Sequence, residues 1–129
     1  MERMNLSRES FVKALVSLED ILNEEFSVIV RDATIQRFEY TFEAMWKSVK
    51  IYLKENEGIP CNSPKSCFRE LLSLGLLSRD DTEVLLEMTD MRNLTSHTYI
   101  EDVAVSIYEK IVAGYVSLMR RVADVLEKE

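Results

Sequence analysis

Glycine and proline are scarce in this chain, 3 and 2 among 129 residues. So few breakers leave little material for β-turns and favour long helices. No run of about 18 apolar residues occurs, so no membrane span is expected. The opening Met1-Glu2-Arg3-Met4-Asn5 lacks the apolar core of a secretory signal, and the expected location is cytoplasmic.

Histidine occurs once, as His97, and cysteine twice, as Cys61 and Cys67. The cysteines lack CxxC spacing and a second ligand pair, so no zinc site or other metal site is expected. Both thiols are expected to be reduced, with Cys67 as half-buried packing. Gly58, Gly75 and Gly114 stand too far apart to form a phosphate-cradling loop. No pair of aspartates follows a Gly-Ser turn, so the chain is not itself a nucleotidyltransferase catalytic domain. No cofactor is implied. Basic residues are outnumbered 16 to 23, for a net charge of −7. That balance counts against extended grip on nucleic acid by one copy, while leaving room for a small basic cleft.

Hydrophobic residues make up 47% and charged residues 30%, which suits one globular domain over residues 1–129. Phe11, Leu15, Leu18 and Leu22 recur at helical spacing and predict a first helix from Ser7 to about Glu25. Phe26-Ser27-Val28-Ile29-Val30 is apolar and β-branched but has no strand to pair with. It reads as the end of helix one or a buried connection. A second helix, from Asp32 to about Asn56, carries Ile35, Phe38, Phe42, Trp46, Val49 and Leu53 on one stripe. Gly58-Ile59-Pro60 ends it. Ser63-Pro64 opens a short third helix that stops at Gly75. Ser78 opens a fourth, with Asp80 and Asp81 in its first turn and Val84, Leu85, Met88 and Met91 facing inward. A fifth runs from Glu101 or Asp102 to about Leu126 along Val103, Ile107, Ile111, Tyr115, Met119, Val122 and Leu126. These elements predict an all-α, up-and-down bundle of about five helices.

The chemistry gathers at Met91–Tyr99. Arg92 can hold phosphate oxygens, His97 can give or take a proton, and Tyr99 adds a phenol. On an unbroken helix, Arg92 and His97 lie about 140° apart. They can cooperate only if the helix breaks around Asn93–Ser96, or if a second subunit completes the site. Spacing alone equally fits an ordinary polar helix end, where a histidine favours the dipole and does nothing more. On helix two, Trp46 reads as core and Glu43–Lys47 as a surface pair. The alternative is that Glu39, Glu43 and Lys47 line a cleft and support the site.

Arg92-Asn93-Leu94-Thr95-Ser96-His97 resembles the R-polar-xxx-H signature of HEPN domains, with Asn93 at the polar position. Its extension to Tyr99 resembles the RxxxxHxY form of the HEPN partners of minimal nucleotidyltransferases (MNT proteins). Ile35 to Lys47 is similar to the "QRFE…FE…WK" helix of the nucleotidyltransferase substrate-binding family. Pro64-Lys65 and Phe68-Arg69-Glu70 sit where that family has its short third helix. The resemblance implies a homodimeric helical bundle with the motifs near the dimer interface, and a separately encoded MNT nucleotidyltransferase as partner. It implies an RNase toxin that cleaves RNA without metal through Arg92 and His97. The antitoxin would neutralise it by AMPylation, transferring AMP onto Tyr99. The older family label implies instead a non-catalytic subunit that binds nucleotide or substrate for the nucleotidyltransferase.

Overall fold

The structure is a computed structural model and describes residues 2–127. It is an all-α, up-and-down helical bundle. In chain order the helices are α1 (Glu2–Ile21), α2 (Val28–Glu57), α3 (Pro64–Ser73), α4 (Arg79–Leu94), α5 (Glu101–Lys110) and α6 (Val116–Glu127). A π-helical segment, Ile111–Tyr115, joins α5 to α6 in one rod, which accounts for the expected five helices. Among the described residues no helix is long and apolar enough to cross a membrane.

Helix α2 organises the bundle, because it touches every other helix. Its buried stripe is Ile35, Phe38, Phe42, Met45, Val49 and Leu53. Phe38 lies 5.8 Å from the Tyr115 ring, and Phe42 meets Phe68 of α3 edge-on at 6.0 Å. Met4, Phe11, Leu15 and Leu18 close the core from α1. Trp46 sits at the rim of this core rather than inside it. Positions 45 and 46 both fit the helical period, and the slimmer, unbranched Met45 takes the interior place.

The ends of the helices follow local chemistry. Gly58 and Gly75 adopt left-handed φ values of 68° and 75°, which a side chain would strain. The Ser63 hydroxyl accepts from the Ser66 amide, while the Ser66 hydroxyl accepts from the Ser63 amide, a reciprocal cap. Ser78 caps α4 through the Asp81 amide.

Val84 of α4, expected to face inward, is 37% exposed, and three further expectations about the fold fail. Helix α1 begins at Glu2, not Ser7, because Met4 stands seven residues before Phe11 and extends the buried stripe by two turns. Residues 26–30 are not a buried connection. The Ser27 hydroxyl accepts from the Val30 amide and starts α2 there, leaving Ile29 81% exposed at the corner. Cys61 and Cys67 are not free thiols but a disulfide, and Cys67 is fully buried. The turn into α3 brings their Cα atoms to 5.3 Å, within bridging range, whereas the expectation of free thiols leaned on compartment rather than geometry.

The π segment has a visible cause. The apolar residues from Val103 to Met119 recur every four positions. On an α-helix each such step overshoots a full turn by about 40°, so the stripe would wind off the core. The wider turn, closed by Val116 N–H donating to the Ile111 carbonyl, takes up that excess. Ile107, Ile111, Tyr115, Met119 and Val122 all remain buried as a result.

Candidate functional site

Helix α4 ends at Leu94, and Thr95–His97 form one tight 3-10 turn. Side chains compete with the backbone there. The Ser96 hydroxyl reaches the Asn93 carbonyl, and the Thr95 hydroxyl lies 2.7 Å from the Arg92 carbonyl. Ile100 then takes an extended conformation and α5 begins at Glu101. The break needed between Arg92 and His97 therefore exists.

It does not bring the two together within one chain. Arg92 turns back toward α2. Its Nη1 donates to Thr95 Oγ1 at 3.1 Å and faces Glu39 Oε2 at 3.6 Å, while Nε faces Glu43 Oε2 at 3.6 Å. The Trp46 indole N–H donates to the other oxygen of Glu43. His97 points to solvent, with its ring 6.1 Å from that of Tyr99, which is 81% exposed. No hydrogen bond joins Arg92 to His97 among the described residues.

The site residues expected on α2 thus divide. Glu39 and Glu43 join Arg92 along an open groove of about 310 Å³ that also includes Gln36 and Tyr40. Lys47 is exposed and forms no ion pair with Glu43 among the described residues; Glu43 turns to Arg92 instead. Asn93 is exposed and contributes its backbone carbonyl to the turn. Thr95 was not expected at all. It is buried, and its hydroxyl also lies 2.8 Å from Glu39 Oε2. The available signal was its place three residues after Arg92 at a helix end, where a hydroxyl can reach back to the preceding turn.

A second device holds the Tyr99 turn. Arg31 of α2 is 5% exposed and donates from Nη1 to Glu101 Oε2 at 2.8 Å, with Nε on Asp32 at 3.1 Å. The hydrogen bond to Glu101 holds the Arg31 guanidinium charged against the opposing effect of burial. This pair ties the first turn of α5, just past Tyr99, to the central helix. Among the described residues no cluster of three or more His, Cys, Asp or Glu side chains is placed to hold a metal ion.

Residues 6–128 match the sequence profile of a family described as "Nucleotidyltransferase substrate binding protein like". The chain is 35% identical over 81 residues to a protein of Haemophilus influenzae named "Probable ribonuclease HepT". That match covers 60% of this chain and 54% of the relative, so the chain spans about half the relative's length. A protein of Thermus thermophilus with a solved crystal structure is 42% identical, with a TM-score of 0.86 over 92% of this chain and 99% of that one. A tri-AMPylated HEPN toxin of Shewanella oneidensis, solved in complex with its MNT antitoxin, shares the fold. There the identity is 15% and the TM-score 0.78, over 98% of this chain and 97% of that one.

Proposed function

The chain belongs to the nucleotidyltransferase substrate binding protein-like family, and from that premise we propose that it is the HEPN toxin of a toxin–antitoxin module. Its partner is an MNT nucleotidyltransferase. The relative named a ribonuclease and the fold shared with an antitoxin-bound HEPN toxin support this reading. The observation that carries it is local. His97 and Tyr99 stand exposed on the turn that follows the helix end bearing Arg92, an arginine held through Nη1.

The proposed reaction is RNA cleavage without metal. The 2′-oxygen attacks the adjacent phosphorus, a P–O bond forms to it, and the bond to the 5′-oxygen breaks. The 2′-hydroxyl gives up its proton and the departing 5′-oxygen gains one; His97 handles one of these transfers. Arg92 offsets charge on the phosphorane-like transition state. Because Arg92 and His97 do not meet in one chain, the working unit is a homodimer that brings His97 of one copy to Arg92 of the other. Leu94, Tyr99 and Ile100 leave apolar surface around the turn for a second copy to cover. Purified wild type should cleave RNA and arrest growth, and His97→Ala should do neither while keeping its melting temperature and dimer mass. Cleavage by His97→Ala would sink the assignment.

Neutralisation would place AMP on Tyr99. The phenol oxygen attacks the α-phosphorus of ATP in the partner's active site and pyrophosphate leaves. Intact-mass measurement after incubation with partner and ATP should show added AMP, and Tyr99→Phe should show none. ATP supply makes the cytoplasm the proposed location, where the Cys61–Cys67 bridge would be unusual. Alkylation of thiols during lysis reads its state directly.

A second reading, a non-catalytic subunit that binds nucleotide or substrate for the nucleotidyltransferase, draws on one observation. Arg92 faces two carboxylates, and the net negative charge of the groove repels a polyanionic RNA more than a ligand with few or no phosphates. Wild type that never cleaves RNA, yet still binds the partner, would favour it.

A further inference from the structure

Thr95 lies inside the motif, and neither the phosphate chemistry nor the AMP acceptor uses it. It is 5% exposed, yet its hydroxyl has three polar neighbours. A hydroxyl carries one proton and two lone pairs. The stronger use of that proton is toward the Glu39 carboxylate at 2.8 Å, with the Arg92 carbonyl as the alternative. Its lone pair receives the Arg92 Nη1 proton at 3.1 Å.

This is the single hydrogen bond that the Arg92 guanidinium makes among the described residues. Its Nε is buried without a hydrogen bond, and both glutamates stand at 3.6 Å, close enough to attract the charge but not to fix its direction. The linked bonds from Arg92 through Thr95 to Glu39 polarise one another. They add a hydroxyl bridge to the Arg92–Glu39 ion pair, whose own separation is 3.6 Å. Nη2 makes no hydrogen bond among the described residues, so that nitrogen is left for an outside oxyanion.

We propose that Thr95 is a positioning residue, whose hydroxyl holds Arg92 Nη1 to Glu39 and leaves Nη2 for a substrate phosphate. The proposal rests on the reading of Arg92 as the phosphate-binding cation. Back-bonding of a threonine to its own helix would need only the Arg92 carbonyl. It would not predict a side chain shared between an arginine and a carboxylate from another helix.

Thr95→Val keeps the branched shape and deletes the hydroxyl, and Thr95→Ser keeps the hydroxyl. Two measurements on the full-length protein separate the outcomes. In RNA cleavage, Thr95→Val should lose roughly 10- to 100-fold in kcat with KM little changed, and Thr95→Ser should recover most of it. In nitrogen-15 spectra, the Arg92 Nη1–H signal of wild type should stand apart from that of Nη2, because the bond to Thr95 restrains the guanidinium; it should broaden in Thr95→Val and return in Thr95→Ser. An unchanged Arg92 signal in Thr95→Val overturns the proposal, as does loss of the signal in both variants alike. If wild type cleaves no RNA, the toxin reading fails, and the Arg92 signal alone decides the role of Thr95. If Thr95→Val does not fold, Thr95→Ser and Glu39→Gln replace it. A wild-type-like Arg92 signal in Glu39→Gln would then count against the clamp.

Discussion

Tyr115→Phe removes one oxygen from the middle of the bundle. The Tyr115 phenol is buried and donates to the Glu87 carboxylate of α4, which Lys110 also approaches at 3.4 Å. A hydrogen bond to a charged group contributes about 1.5–3 kcal/mol. The Glu87 side chain is 48% exposed, so water replaces part of the loss, and about 1–2 kcal/mol is expected. In a domain of this size that lowers the melting temperature by roughly 3–10 °C. The pH dependence has a definite sign. The Tyr115 hydroxyl holds the Glu87 carboxyl below its ordinary value of 4.5, so ionised Glu87 favours the fold above that pH. The contribution fades as pH falls below 4.5, and the gap between wild type and Tyr115→Phe should narrow with it. At the other end, burial and then Glu87 push the Tyr115 phenol well above its ordinary 10.0. Wild type should therefore lose stability above pH 10.0 in a way that the phenylalanine variant does not. Thermal melts of wild type, Tyr115→Phe, Glu87→Gln and the double variant across pH supply both the magnitude and the coupling. A melting gap under about 1 °C at neutral pH, or one as large near pH 3.5 as at pH 7, would refute the reasoning.

Two further outcomes follow from the packing. Phe42→Ala empties a fully buried site between Phe38 and Phe68 and should cost about 3–5 kcal/mol, read by denaturant titration. Glu101→Gln leaves buried Arg31 with only Asp32 as an ion-pair partner. It should cost about 1–2 kcal/mol, discounted because Glu101 itself is exposed, and speed hydrogen exchange at Tyr99–Asp102 before the rest of the bundle.

Much of the fold was legible where chemistry is local. Ser63-Pro64, Ser78 with two following aspartates, Gly58 and Gly75 each mark a helix end through a hydroxyl, a dipole or a left-handed φ, and each does so in the structure. Legibility fell where two local signals agreed with different packings. Residues 26–30 are apolar enough to be buried, yet a serine cap decided their fate. At the site, the motif located Arg92, His97 and Tyr99 along the chain but not in space. The direction of Arg92 depends on Glu39 and Glu43 of another helix and on Thr95. A reading centred on titratable groups passes over a threonine, because its importance comes from what it touches rather than from what it can ionise.

The π segment at Ile111–Tyr115 bears on how this chain is compared with its relatives. A wide turn holds one residue more than the α-helix it interrupts. A relative that lacks it would need a one-residue gap there, and an alignment without the gap would misplace every position after it. Deleting Gly114 in the laboratory poses the same question physically. If the helix closes up, the wide turn becomes an ordinary α turn, and Met119, Val122 and Leu126 keep their places against the core. One codon would then separate a rod with the wide turn from one without it, with the last helix seated in both.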